Sequence, residues 1–275
     1  MTQLDVVGLA MHSEPLADEN FLGLPFASLD MAEAVKVVEQ ASLGGAWRYV
    51  VTPNAAHLAR LYKGDANLER IYRNAWLCLL DSRVISRIAR RVGLRPPPVV
   101  AGSDLCEVLF REVISPSTPI CVIGGDDSCI NTIKSRFALT NVHHMNPPYG
   151  FWRSEEEVAK AAAFIVASRA DYTFLAVGSP QQEVLAARVA EIGGARGVGL
   201  CAGASIQFLS GAQKRAPRFV QQMACEWAYR LLQDPRRLAR RYLVESPLGV
   251  LFVLRHALRR PDAGRSLRRR DAAGY

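Results

Sequence analysis

From about residue 48 to residue 203 the chain alternates apolar runs of strand length with stretches of helical period, and that alternation leaves few folds open. Runs at 48–52, 76–80, 119–124, 172–177 and 198–201 are largely apolar and predict strands, and 141–144 joins them as a sixth, with His143 and His144 on its opposite faces. Helical periods fall at 55–74, 82–92, 104–113, 127–138, 155–168 and 181–192. Ser154 with Glu157 offers an S-x-x-E capping box for the fifth of these. Repeated strand-helix units predict an α/β fold with a mostly parallel sheet between two helical layers. With 275 residues, 49% hydrophobic and 22% charged, the chain can build such a core without staples and is not a disordered sequence. The strand order is not readable from these runs.

After Gly203 the strand runs stop. Helices are expected at 221–233, 236–245 and 248–260, punctuated by Asp234-Pro235 and Ser246-Pro247. The chain thus divides into an α/β core at 1–211, a basic helical appendage at 212–260 and a flexible tail at 261–275.

Charge follows the same division. Residues 214–270 hold 15 Lys/Arg against 4 Asp/Glu, a local +11 in a chain of net +8, so the remainder stands at −3. Such a segment attracts polyanions: nucleic acid, an anionic membrane leaflet or a pyrophosphate substrate. The apolar stretch at 247–254 is far short of the ~20 residues that span a bilayer. Acidic residues Asp5, Glu14, Asp18 and Glu19 stand where a secretory signal would be basic and then apolar, which predicts a cytoplasmic protein. The six cysteines make no C-x-x-C pair and read as buried reduced thiols.

A parallel sheet presents its ligands at the carboxyl ends of its strands, so the turns after the apolar runs are the places to look for chemistry. Thr52-Pro53-Asn54 supplies a hydroxyl, an amide and free N–H groups, or simply a helix cap. Asp81 closes one strand and can serve as a general base or equally as an N-cap. Gly124 and Gly125 let a backbone approach a nucleotide, or form an ordinary tight turn, and they lack the G-K-[ST] ending of a phosphate loop. Ser179-Pro180-Gln181-Gln182-Glu183 places amides and a carboxylate at a helix start, where Gln182 and Glu183 can meet a uracil or sugar edge or play routine structural parts. The histidines form no metal constellation, and none, His57 included, is given a catalytic role. Lys214, Arg215, Arg218, Arg230, Arg236, Arg237, Arg240 and Arg241 alternate with Trp227, Tyr229 and Tyr242, as in a helix set facing anions or a membrane surface.

Taken in order, these pieces resemble the WecG/TagA/CpsF proteins, glycosyltransferase family 26, over roughly residues 48–255. The resemblance is carried by Thr52-Pro53-Asn54, Ala101-Gly102-Ser103-Asp104-Leu105, Pro147-Pro148-Tyr149-Gly150, Val177-Gly178-Ser179-Pro180-Gln181-Gln182-Glu183, and the run from Phe208-Leu209-Ser210-Gly211 through Lys214-Arg215-Ala216-Pro217 to Glu226-Trp227-Ala228-Tyr229-Arg230-Leu231. It implies a Rossmann-like core and an appendage that completes the site at the membrane. The implied reaction is metal-independent, inverting transfer of a hexose (glucose, N-acetylmannosamine or its uronic acid) from a UDP-sugar to an undecaprenyl-diphosphate-linked saccharide, without a cofactor. By resemblance Asp81 matches the catalytic base. Thr52, Asn54 and Gln182 match pocket residues, with Ser103, Asp104 and Tyr149 in the motifs beside them, and appendage arginines match the diphosphate contacts. The family pattern at the base is Asp-Gly-x-Gly, whereas this chain reads Asp81-Ser82-Arg83-Val84, a change expected to alter the donor pocket. Gln181 stands where a lysine is frequent.

Such a protein would sit peripherally on the inner face of the plasma membrane. Rival readings are a nucleotide- or nucleic-acid-binding protein with a basic tail, and a nicotinamide oxidoreductase. The first lacks any RNA- or DNA-reading motif, and the second lacks the full glycine fingerprint. Whether the chain forms a homo-oligomer is not written in its sequence.

Overall fold

The computed structural model describes residues 19–217, 219–220 and 223–259. The expected tail at 261–275 and the position of Arg218 lie outside them. Six parallel strands form the central sheet: β3 (Arg48–Val51), β4 (Leu77–Cys78), β5 (Ile120–Ile123), β6 (Val142–Met145), β7 (Tyr172–Leu175) and β8 (Val198–Cys201), in the order β4-β3-β8-β7-β5-β6. All six fall on expected runs, so the Rossmann-like α/β class stands. The 76–80 run is shorter as a paired strand than its apolarity suggests, with Leu80 making only an isolated bridge to Val99.

Two elements precede this sheet that the apolar runs do not announce. A hairpin joins β1 (Glu19–Phe21) to β2 (Leu24–Phe26), and α1 follows at Met31–Ser42. The Asp30 carboxylate accepts the Glu33 N–H and the Glu33 carboxylate accepts the Asp30 N–H, both at 2.9 Å, a full capping box. The helix expected at 55–74 is two helices, α2 (Ala55–Tyr62) and α3 (Ala66–Arg73). The chain breaks at Gly64, and Asp65 restarts it by accepting the Leu68 N–H at 3.0 Å. α4 spans Arg83–Arg91, α5 Gly102–Val108 with a π-helical continuation at Leu109–Val113, and α6 Asp127–Arg136. α7 spans Glu155–Ser168, α8 Gln181–Ile192 and α9 Ser205–Ser210. Ser154 caps α7, but the reciprocal arm of the expected box is missing, because the Glu157 carboxylate takes the Lys160 ammonium at 2.8 Å instead.

The C-terminal helices are α10 (Glu226–Gln233), α11 (Pro235–Ala239), a π-helical stretch at Arg240–Glu245, and α12 (Ser246–Arg259), with Pro247 in the first turn of the last. Two apolar layers hold the sheet. One gathers Val38 of α1, Leu105 of α5, Ile130 of α6 and Ile206 of α9. The other gathers Leu58 of α2, Ile85 of α4, Ile165 of α7, Leu185 of α8 and, from the appendage, Val253 and Ala257 of α12. α12 crosses α2 so closely that a Cβ on Gly249 would collide with the Ala55 carbonyl. The C-terminal helices are thereby seated against the start of α2, the helix that follows the Thr52-Pro53-Asn54 turn.

Candidate active site

Adjacent strands β3 and β8 send their chains to opposite faces of the sheet, β3 through α2 and β8 through α9. A crevice opens where neighbouring connections diverge in this way, outside the carboxyl ends of the strands. Here it is a cavity of about 770 Å³ whose lining includes Thr52, Asn54, His57, Asp81, Gln182 and Lys214. Its walls are loops fixed from behind. Arg60 donates to the Ser179 hydroxyl and carbonyl, both at 2.9 Å, holding the loop after β7. Gln182 is buried and accepts the Gly203 N–H at 2.9 Å, holding the loop after β8. Its amide nitrogen donates to Glu183 at 3.0 Å.

A second cavity of about 750 Å³ lies on the other side of Asp81. Its walls are apolar, with Val84, Val99, Trp227, Leu243, Val250 and Leu251 among them. Asn54, Asp81, Ser103, Arg230 and Arg241 line both cavities. The two spaces therefore meet at one carboxylate between two guanidinium groups.

Asp81 is free for chemistry because its neighbour does the capping: the Ser82 hydroxyl accepts the Ile85 N–H at 3.2 Å and starts α4. The Asp81 N–H donates to the Pro53 carbonyl at 3.1 Å, tying the two turns together. Asp81 is partly buried where the two cavities adjoin, and burial first, then the nearby Glu226 carboxylate, push its pKa from 3.8 up to about 7; Arg230, Arg241 and an N–H bond from Gly102 oppose that rise. A carboxylate poised near neutral pH suits a general base. Arg241 is itself pushed down by burial, so its charge is held in a poorly solvated place where an anion is welcome.

The other sequence candidates fall around this pair of cavities in different ways. Thr52, Asn54, Ser103, Gln182, Lys214, Arg230 and Arg241 converge on them. Asp104 forms ion pairs with Arg215 and, at 3.6 Å, with Arg83. Arg215 also donates to Ser103 at 3.3 Å, so it braces the rim. Glu183 is buried beneath the cavity floor, where burial raises its pKa. Gly124, at φ +94°, packs against the loop after β7, where a Cβ would stand 2.9 Å from the Ala176 carbonyl oxygen, and Gly125 faces Ile206. Neither glycine lines either of these two cavities. Tyr149 is 99% exposed, edge-on to Trp152 at 5.9 Å, and away from both cavities. Arg236 and Arg240 are exposed; the side chain of Arg237 lies outside what is described.

Three site residues were not among the sequence candidates. His57 lines the polar cavity, Glu226 faces Asp81, and Arg60 clamps Ser179. Among the described residues no group of three or more His, Cys, Asp or Glu could hold a metal ion.

A parallel α/β sheet with a polar cleft at its carboxyl edge and a partly buried carboxylate on its wall defines an enzyme scaffold for group transfer or nucleotide binding. The particular family follows from the sequence match: residues 19–263 fit the model of the Glycosyl transferase WecG/TagA/CpsF family, and the chain belongs to it. It is therefore an enzyme that transfers sugars, in cell-surface polysaccharide synthesis.

Proposed function

We propose that the protein is an inverting, metal-independent hexosyltransferase that uses a UDP-sugar and a polyprenyl-diphosphate-linked saccharide acceptor. The observation that carries this reading is the position of Asp81, shared by a polar cavity sized for a nucleotide sugar and an apolar one suited to a lipid-linked acceptor. The donor occupies the polar cavity with its anomeric carbon toward Asp81. The acceptor hydroxyl enters from the apolar side. Asp81 takes the hydroxyl proton as the acceptor oxygen bonds to the anomeric carbon, and the bond from that carbon to the diphosphate oxygen breaks on the opposite face. UDP leaves with the bonding pair, and Arg230, Arg241 and Lys214 meet its charge.

The C-terminal surface supports a place at an anionic membrane leaflet. Phe219, Met223, Trp227, Leu232, Leu243, Val244, Leu251 and Leu258 are all exposed there, beside Arg236 and Arg240. Among the described residues no helix is long and apolar enough to cross a membrane.

The test is a panel of UDP-sugars offered with a synthetic lipid-diphosphate acceptor, read by mass spectrometry, with the anomer assigned by NMR. Transfer with inversion from at least one UDP-sugar is expected. Transfer from none of them, or with retention, sinks the reading.

A further inference from the structure

The capping box that starts α2 is built from an unusual pair. Asn54 accepts the Ala56 N–H at 3.1 Å, and in return the Asn54 N–H donates to His57 Nδ1 at 3.0 Å. Glu or Gln normally supplies that returning arm, because only an acceptor is required there. Histidine does the same work with one ring nitrogen and keeps the other in reserve. Since Nδ1 accepts a backbone N–H, it carries no proton, and the neutral ring must carry its proton on Nε2.

His57 is 7% exposed and its ring lines the polar cavity. Nε2 has no partner among the described residues, so this donor is left for a ligand. Burial first, then the charges of Arg241 and Arg60, hold the ring well below its ordinary pKa and so favour its neutral form. Two guanidinium groups and the positive end of the eight-residue α2 surround the same spot, and that field selects an anionic acceptor over a neutral one.

We infer that His57 is a ligand-binding residue that donates its Nε2–H to a phosphate oxygen of the nucleoside diphosphate in the polar cavity. This rests on the reading of that cavity as the donor pocket. The bond costs no reorganisation, because the capping box has already set the tautomer and the ring. It strengthens as negative charge gathers on the diphosphate during departure, which makes it a contribution to transition-state binding.

Glutamine and glutamate at position 57 both retain an oxygen that accepts the Asn54 N–H, but only glutamine also brings an N–H donor. Calorimetric titration of the full chain with UDP and with uridine separates the cases, with thermal midpoints recorded for each variant. His57→Gln should weaken UDP binding no more than about threefold, and His57→Glu by about thirtyfold or more, with uridine changed less than about threefold by either. If the buried carboxylate prevents folding, His57→Leu carries the comparison, with a loss of about tenfold for UDP alone. UDP affinity within threefold of wild type in the donor-lacking variant overturns the inference, and so does an equal loss for uridine, which would move the contact to the base. A wild-type protein that binds neither UDP nor any UDP-sugar overturns the donor-pocket reading itself, an outcome visible before any variant is made.

Discussion

Arg215 Nη1 stands 2.8 Å from Glu107 Oε2, a bond that ties the basic segment after α9 to α5 across the rim of the active site. Asp104, on the same helix, meets the same guanidinium. A partly exposed pair is worth about 1 kcal/mol or less in stability, so the consequence should appear in turnover, through the placement of Ser103 and Lys214. Arg215→Gln should lower kcat/KM about five- to tenfold, and Glu107→Gln should lower it less. The double variant should be no worse than Arg215→Gln alone, since residues in one network do not act additively. Strictly multiplicative losses in the cycle would dissolve the tie.

Asp81 gives activity and stability opposite signs. Its folded pKa of about 7 lies above its ordinary 3.8, so the native state binds a proton more tightly than the unfolded one, and stability declines as pH rises from about 4 to 7. The gap sets a ceiling of about 4 kcal/mol, reduced by water in the two cavities. Asp81→Asn should therefore raise the thermal midpoint at pH 8, leave it nearly unchanged near pH 3, and cut transfer by about 10²–10⁴. In the wild type kcat/KM should rise with pH through an apparent pKa near 7. Glu226→Gln removes a neighbouring negative charge and should move that limb to lower pH, whereas Arg230→Gln should move it higher. A pH limb that ignores both substitutions would take Asp81 out of the base's role.

The departure from the family pattern at Ser82-Arg83-Val84 changes its meaning once the cavities are seen. All three residues line the apolar cavity and none lines the polar one. They therefore face the apolar cavity, the side proposed for the acceptor, rather than the polar cavity proposed for the donor. The ion pair of Arg83 to Asp104 is long, 3.6 Å, and its side chain is 37% exposed, so much of its guanidinium is open to a ligand. Arg83→Ser should raise the KM for a lipid-diphosphate acceptor about tenfold and leave the KM for the donor within about twofold. Steady-state kinetics with each substrate varied in turn decides it, and the reverse pattern would return these residues to the donor.

The inner strands were legible because they are buried on both faces and so read as largely apolar runs, Ile120–Ile123 without a break and Tyr172–Leu175 with only Thr173 among them, whereas the edge strand Val142–Met145 is partly exposed and carries two histidines. The hairpin was not, since Glu19–Phe21 and Leu24–Phe26 are three residues each, too short for a period, and the second contains Pro25. α1 did carry a signal, the D-x-x-E box of Asp30 and Glu33 before Ala34, Val35, Val37 and Val38. His57 escaped for a chemical reason: capping boxes are sought as Glu or Gln, and an imidazole nitrogen performs the same acceptance unannounced. Asp81 was readable as a carboxylate at a strand end, but the charges that set its proton affinity come from Glu226, Arg230 and Arg241. No local pattern brings together residues that lie so far apart in the chain. The basic character of the appendage was plain in its composition, whereas the packing of α12 on α2, through Gly249 against Ala55, is a tertiary contact.

The exposed surface of the C-terminal helices makes the last prediction. Trp227 and Leu243 reach from the wall of the apolar cavity to solvent, so the lining of that cavity and the proposed membrane face are continuous. On the proposed reading, a lipid-linked acceptor keeps its tail at the leaflet and along these apolar residues while its saccharide hydroxyl reaches Asp81, and the same residues serve both binding and turnover. Arg236 and Arg240 lie exposed on the adjoining turns, and each cation near an anionic leaflet is worth about 1 kcal/mol. Replacing both with glutamine should weaken binding to anionic vesicles about tenfold or more at low salt, with the difference shrinking as salt screens it. Replacing Trp227 and Leu243 with serine should weaken binding at every salt concentration and also lower turnover with a long-chain acceptor, while a water-soluble short-chain acceptor is spared. Vesicle co-sedimentation and transfer assays on the same preparations read both effects. Equal binding to anionic and zwitterionic vesicles by the wild type, or serine variants that lose neither property, would separate this surface from the membrane.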